Sequence, residues 1–223
     1  MNRTGMVIAS GATIAAMVAT AVAVARALPD GAQLPIHWGI DGAADDFANK
    51  WTALMLAPIF TAFGSLLFYF LPVLEPRRRS LEQSQGLYRW GWAAVLVLGA
   101  TLQLAIVSIA LHWPIHAYHI AAGGLGIAFA LIGNQLGKSR RMYLFGVRTP
   151  WTLASEEVWI KTHRLAGKLM VAGGGAVTLA ALLPVPSGVL ATTAFCALGA
   201  AVGIPVVYSY VLWRREQAVQ SSE

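Results

Sequence analysis

Residues 146–167 read GVRTPWTLASEEVWIKTHRLAG, and this segment stands between two strongly apolar stretches of the chain. It holds two Trp, two Arg, one Lys, one His and two Glu. The stretches on either side are apolar enough to lie in lipid, whereas charged side chains at this density need water. The segment is therefore where a membrane protein would carry a specific function in an aqueous compartment.

The composition of the whole chain indicates the same environment. Of the 223 residues 57% are hydrophobic and only 12% are charged, whereas a soluble domain carries about 25% charged residues. Six apolar stretches have the length of about 20 residues that crosses a bilayer. They are residues 6–27, 52–74, 91–111, 115–136, 165–183 and 188–213. The sequence predicts an all-α polytopic membrane protein, a bundle of six transmembrane helices.

Basic residues lie almost entirely on one side of this six-span topology. Arg26 and Lys50 fall on the other side, and the remaining 14 of the 16 Lys and Arg residues share one side. The positive-inside rule places this basic side, and both termini, in the cytoplasm. We expect a multi-pass protein of the cell (cytoplasmic) membrane whose basic loops contact membrane lipid. That contact explains the positive charge, so no direct binding of nucleic acid is expected.

The topology divides the chain into two parts. Residues 1–74 would hold the first two transmembrane helices with an outer loop at 28–50, and residues 75–223 would form a four-helix membrane core with an inner loop at 138–164. The first apolar stretch ends in Ala25-Arg26-Ala27, which is similar to a signal-peptide cleavage site. Its apolar run is longer than that of a usual signal peptide, so we expect an uncleaved signal anchor.

The outer loop, residues 28–50, is rich in turn signals. Asp30-Gly31 and Asp41-Gly42 are dipeptides typical of turns. Pro35 biases Leu34 toward an extended conformation, because the proline ring disfavours the helical region for the residue before it. We expect a short strand or extended arm across the outer face, followed by a turn.

The inner loop contains signals for a new helix. Gly146 predicts a tight turn, and Thr149-Pro150 ends any preceding helix and predicts an extended entry. Ser155 followed by Glu156-Glu157 predicts a helix start, with a hydroxyl N-cap and acidic residues at the positive end of the helix dipole. Trp151 and Trp159 are expected at the inner membrane surface. An inner-leaflet structural staple, a partner-binding surface and a catalytic site are the alternatives for this loop.

Histidine residues raise the question of metal binding or catalysis. Four of them lie on the outer side: His37, His112, His116 and His119. With the nearby aspartates they could bind Zn²⁺ or titrate near neutral pH, but hydrogen bonding at the interface is the simpler interpretation. On the inner side His163, Thr162 and Glu157 have the residue types for acid–base catalysis, yet no pattern brings them together. We therefore expect no metal, no cofactor and no catalytic residue.

Two blocks of the sequence combine uncommon residues in a fixed order. The first block is Leu34-Pro35-Ile36-His37-Trp38-Gly39, followed by Gly42, Asp45 and Lys50. The second block is Gly146-x-Arg148-Thr149-Pro150-Trp151-Thr152-Leu153, followed by Val158-Trp159, Thr162-His163-Arg164 and Gly167. Together they resemble the SdpI family of bacterial membrane immunity proteins, and the first is similar to an outer-loop domain of unknown function that precedes the family's core. The second is long, ordered and rich in rare residues, so chance is a poor explanation for it.

The resemblance implies a membrane immunity or sensor protein that is not an enzyme. It would bind a secreted antimicrobial peptide toxin on the outer side and transduce its presence to a small cytoplasmic repressor. The implied outer sensing residues are His37, Trp38, Asp45 and Lys50. The implied inner docking residues are Arg148, Thr149, Pro150, Trp151, Trp159, Thr162, His163 and Arg164.

Two other functions remain open at this point. A small-solute transporter or channel could use Asn134, Gln135 and the glycines at 173–175 to line a path, although the span interiors lack the acidic residues that usually couple transport. A membrane enzyme acting on lipid or peptide could use His163 or the outer histidines.

Overall fold

The computed structural model describes residues 3–39 and 43–220, and the chain is mostly helical. In chain order the elements are α1 (Thr4–Ala27), β1 (Gln33–Trp38), β2 (Ala44–Asn49), α2 (Lys50–Leu74), α3 (Arg78–Gln83), α4 (Gln85–Ala110), α5 (Ala117–Leu136), α6 (Pro150–Ala154), α7 (Glu156–Ala181) and α8 (Ser187–Gln220). The expectation of an all-α chain is correct for the bundle. Between α1 and α2 two strands pair; β1 corresponds to the short strand that the sequence predicts in this loop, whereas β2 was not predicted.

Within the described residues, five helices are long and apolar enough to cross a bilayer, namely α1, α2, α4, α5 and α8. The protein is therefore a polytopic membrane protein. The sequence also predicts a span at residues 165–183, which lie in the C-terminal part of α7. α7 is not among the five, because Arg164 and Lys168 lie within its otherwise apolar part, which also holds three consecutive glycines. Both features lower its mean hydropathy.

Consecutive long helices are neighbours in the bundle. α1 packs on α2 and α4, α4 packs on α5, α5 packs on α7, and α7 packs on α8. The bundle consequently has two different ends. We call the end with β1, β2 and the α4–α5 and α7–α8 turns the hairpin end. We call the end with α3, residues 137–149 and α6 the loop end.

Glycines let α5 and α7 touch along their backbones. A Cβ atom added to Gly174 would lie 2.5 Å from the carbonyl oxygen of Gly126, and one added to Gly167 would lie 2.6 Å from that of Gly133. No larger residue fits at these crossings. Small residues are what membrane helices use for such close approach, because lipid supplies no hydrophobic force between helices.

The paired strands form a hairpin over the ends of α1, α2 and α4. β1 and β2 are antiparallel, with Gln33 opposite Asn49 and Pro35 opposite Phe47. Leu34 is buried in a cluster with residues of α1, α2 and α4, so the hairpin is packed rather than free. The Asp30-Gly31 turn is confirmed, since Gly31 has φ of +82°. The predicted turn at 41–42 lies outside the described residues.

Candidate functional site

A buried carboxylate fixes the start of the loop end. Glu75 follows the last residue of α2 and is only 1% exposed. It accepts hydrogen bonds from the backbone N–H groups of Arg77 at 3.0 Å, Tyr143 at 3.1 Å and Leu144 at 2.9 Å. Hydrogen bonds to an ionised acceptor are about twice as strong as neutral ones. Glu75 therefore ties the chain after α5 to the end of α2.

A buried histidine holds the next part of the same loop. The Nε2 atom of His163 accepts a hydrogen bond from the Val147 N–H at 2.9 Å, so the ring proton lies on Nδ1, 2.8 Å from the Trp159 carbonyl oxygen. The imidazole of His163 and the indole of Trp159 stack, with 3.9 Å between the ring centroids. Burial lowers the pKa of His163 to about 4, and the hydrogen bond to Trp159 opposes this only in part. The imidazole is neutral at pH 7.

Gly146 makes this contact possible. Its φ is +104°, a region that side chains rarely adopt. A Cβ atom there would overlap the Nε2 atom of His163 and would lie 3.1 Å from the Trp159 ring. The turn that the sequence predicts at Gly146 is present, and the histidine explains why it must be glycine.

Side-chain caps start the two helices that follow. Thr149 is extended, with ψ of 160°, as the sequence predicts before a proline. It forms a reciprocal capping box with Thr152 and begins the short helix α6, which the sequence analysis missed. Ser155 accepts a hydrogen bond from the Val158 N–H at 3.3 Å, so the predicted N-cap of α7 is confirmed.

Three of the eight candidate docking residues are buried. Trp159, Thr162 and His163 have 0% exposure. Trp159 therefore does not lie at a membrane surface as expected; its Nε1–H donates to the Ser139 hydroxyl at 3.3 Å inside the fold. These three side chains offer no surface to a partner. They pack α7 against the loop at 137–149.

The other five candidates lie at or near the surface. Arg148, Pro150 and Arg164 are exposed, and Thr149 and Trp151 are half-buried. The Arg148 guanidinium donates to the Tyr143 carbonyl oxygen. Trp151 joins α6 to α8, because its Nε1–H donates to the Ser209 hydroxyl. Trp151 also packs on the Tyr210 and Trp213 rings, with centroid separations of 5.3 and 6.3 Å.

At the hairpin end, Lys50 has a structural position. Its ammonium is almost fully buried and donates to the carbonyl oxygens of Leu28 at 2.8 Å and Pro29 at 3.1 Å, and to the Asp30 carboxylate at 3.2 Å. It thus binds two carbonyls just beyond the end of α1, where a cation also complements the helix dipole. As a sensing residue Lys50 has little surface to offer.

The remaining candidates at the hairpin end are accessible. His37 and Asp45 face each other across the strands with Nδ1 and Oδ1 2.6 Å apart, and both side chains are more than half exposed. Trp38 is half-buried and lines an apolar cavity of about 280 Å³ beneath β1. Phe60 and Tyr118 line the same cavity. Neither of these two was a sequence candidate, since an aromatic residue in a predicted span carries no signal beyond packing.

Trp38 and Tyr118 also line a second, smaller cavity of about 140 Å³. Its far wall is formed by Leu190 and Ala194 of α8. α8 therefore lines the smaller hairpin-end cavity with its first turns and contacts the loop end through Ser209.

The side chains considered for metal binding or catalysis do not converge. Among the residues the structure describes, no group of three or more His, Cys, Asp or Glu could hold a metal ion. The Nε2 atom of His119 lies 3.0 Å from the Leu183 carbonyl oxygen. His163 uses both ring nitrogens within the fold, and Glu157 forms an ion pair with Lys161.

Comparisons with known proteins agree with this arrangement. Residues 138–209 match the model of the SdpI/YfhL protein family, and residues 12–62 match a domain of unknown function, DUF1648. Immunity protein SdpI of Bacillus subtilis (strain 168) is 28% identical over 155 residues, which cover 70% of this chain and 71% of that protein. No solved structure matches the chain.

The fold defines a multi-pass membrane protein with a hairpin at one end and an anchored loop at the other. The chain carries a segment that matches the SdpI/YfhL family, residues 138–209, and an N-terminal segment that matches DUF1648, residues 12–62. The hairpin lies entirely within the DUF1648 match, and α6, α7 and the loop from residue 138 lie within the family match. The resemblance on which the sequence analysis relied is therefore confirmed.

Proposed function

We propose that this protein is a membrane immunity protein that protects its cell from a secreted, membrane-active peptide toxin by binding it, without a chemical step. The observation that carries this proposal is the similarity to Immunity protein SdpI, which extends over about 70% of both chains. We further propose that toxin binding is reported to a small cytoplasmic repressor at the loop end.

In this proposal the bundle crosses the membrane six times, and the part of α7 from Leu165 onward is the span added to the other five. α7 lies along α5, which is itself long enough to cross, as far as Gly123, where a Cβ atom would lie 3.7 Å from that of Ala181. Arg26 and Lys50 are the two basic residues at the hairpin end. The other 14 of 16 are toward the loop end, so the positive-inside rule orients that end and both termini to the cytoplasm. The proposal keeps the two parts predicted from the sequence: residues 1–74 with the first two spans, and residues 75–223 with the four-helix core.

The hairpin end is the toxin-binding side in this proposal. The cavity beneath β1 is lined almost entirely by apolar atoms and is large enough for an apolar side chain of a peptide. Trp38 forms part of its wall, and tryptophan in such a position commonly dominates the energy of an interface. His37 and Asp45 lie nearby on the exposed face of the hairpin, where they can contact polar groups of the peptide.

Helix α8 is the element that would connect the two ends. Leu190 and Ala194 face the smaller cavity beside Trp38, and Ser209 is hydrogen-bonded to Trp151 of α6. Pro205 lies between these contacts and lacks the N–H that would bond back to the preceding turn, so α8 is easiest to bend there. Transduction requires that the toxin bind the two positions of α8 with different affinity.

A protection assay tests the immunity function. A Bacillus subtilis strain that lacks its own SdpI would express this protein and would then be exposed to the toxin against which SdpI protects. We expect survival with the wild-type protein and at least ten-fold lower survival with Trp38→Ala. Trp51→Ala is the matched control, because Trp51 is an exposed tryptophan at the same end that does not line the cavity. Equal survival with wild type and empty vector would refute the proposal.

A separate variant tests signalling. Trp151→Phe keeps an aromatic ring against Tyr210 but removes the N–H that donates to Ser209. We expect protection to persist while a transcriptional reporter of the immunity response loses its induction by toxin. A reporter response equal to wild type, at equal protein level, would rule out α6–α8 contact as the transducing element.

A further inference from the structure

Three cations line one groove beside the anchored loop. The groove runs between α5 and α7 at the loop end and has a volume of about 440 Å³. Lys138 follows α5, while Arg164 and Lys168 lie one turn apart on the same face of α7. Asn134 adds an amide to the lining. All four side chains are exposed.

These three cations have no partner of opposite charge among the described residues. Other basic side chains nearby are engaged: Arg141 donates to carbonyl oxygens at the end of α6, and Lys161 pairs with Glu157. The groove lining contains no acidic residue. Cations that converge without compensation produce a positive potential that attracts an anion.

The groove has an apolar half as well as a basic one. Val171 and Ala172 continue its lining along α7 beyond Lys168, and Val171 is 41% exposed. From there to Arg214 the chain has no charged residue. Ala172 also lines a wider groove between α7 and α8, whose walls are mostly small side chains such as Gly173 and Ala197. A charged head and an apolar tail would thus find matching surfaces in sequence along α7.

We propose that this groove binds the headgroup phosphate of an anionic phospholipid. The phosphate oxygens accept hydrogen bonds from Lys138, Arg164 and Lys168, and one acyl chain lies over Val171 and Ala172. A free phosphate would leave the apolar half unused. Because three cations exceed the charge of one phosphate diester, a lipid with two phosphates is expected to bind more tightly than one with a single phosphate.

The bound headgroup would brace the site described above. It bridges the end of α5 to α7 at the point where a Cβ atom on Gly137 would lie 3.2 Å from the Cα atom of Arg164. Arg164 follows His163, which holds the loop through Val147. The inference does not depend on the immunity function, because it concerns the resting protein in its membrane.

Lipid binding by the full-length protein in nanodiscs and by native mass spectrometry tests the inference. The triple variant Lys138→Gln, Arg164→Gln, Lys168→Gln is compared with the triple variant Arg78→Gln, Arg79→Gln, Arg89→Gln, which removes the same charge from exposed positions outside the groove. We expect wild type and the second variant to retain cardiolipin over phosphatidylcholine, and the groove variant to lose affinity for cardiolipin about ten-fold or more.

Three results would overturn the inference. Equal losses in both triple variants would show a general attraction of basic loops to anionic lipid. Cardiolipin binding by the groove variant at wild-type strength would place the lipid elsewhere. Displacement of cardiolipin by inorganic phosphate at comparable concentration would indicate a site for a free anion. If the triple variant does not fold, Lys138→Gln alone, at an exposed position after α5, should weaken binding about five-fold.

Discussion

Acidification should release the loop at 137–149 from α7. The perturbation acts on His163, whose Nε2 atom accepts the Val147 N–H and cannot do so once protonated. The histidine has an ordinary pKa of 6.5, and burial lowers it to about 4 in the folded protein. His163 therefore binds a proton more tightly when the loop is open than when it is closed.

The sign and size of the effect follow from these two pKa values. The stability that the neutral ring contributes is complete above pH 6.5, declines as the pH falls, and is fully lost below about pH 4. One pH unit corresponds to about 1.4 kcal/mol, so the whole interval is worth roughly 3 kcal/mol. Closure of the loop should weaken by up to ten-fold for each pH unit in this range.

Hydrogen exchange at the Val147 amide measures this closure directly. In detergent-solubilised protein, the protection of Val147, corrected for intrinsic exchange, should fall steadily between pH 6.5 and pH 4. The His163→Leu variant should show low protection with no pH dependence, and His37→Gln, at an exposed position, should behave as wild type. Constant protection of Val147 in the wild-type protein across this range would refute the reasoning.

Three further substitutions have expected outcomes in thermal unfolding of the purified protein. Gly146→Ala should destabilise by at least 2 kcal/mol, roughly, because positive φ and contact with the buried imidazole act together. Glu75→Gln should cost about 2 kcal/mol by giving up charge-assisted bonds to three backbone N–H groups, whereas Glu82→Gln, at an exposed position, should be neutral. Lys50→Met should cost about 1–3 kcal/mol, since it leaves the Leu28 carbonyl oxygen without its donor. If any of these three variants unfolded at the same temperature as the wild-type protein, the role given to that residue would be contradicted.

The bundle was largely predictable because lipid imposes a simple rule on composition. Stretches of about 20 apolar residues correspond to α1, α2, α4, α5 and α8. Their ends were less predictable: α4 begins at Gln85 rather than near residue 91, and α8 continues to Gln220. A helix can continue beyond the lipid into water, so the length of an apolar stretch underestimates the length of its helix. The strand β2 was missed because Asp45, Asp46 and Asn49 are all residue types depleted in strands.

The loop end shows what local chemistry can and cannot predict. The roles of Gly146, Thr149 and Ser155 could be inferred, because a turn or a cap depends on a few neighbouring residues. Glu75 could not, since its acceptor role depends on Tyr143, which is 68 residues away. Trp159 was assigned to the membrane surface from its residue type, but the loop covers it, and no pattern within α7 reveals that cover.

The hairpin joins α2 without any linker residue. β2 ends at Asn49 and α2 begins at Lys50, with the Asn49 side chain accepting the Thr52 N–H at 3.0 Å. The same Lys50 holds the chain leaving α1. A displacement of the strands would therefore move the ends of α1 and α2 together, because no flexible linker separates the hairpin from α2 and Lys50 ties it to the end of α1.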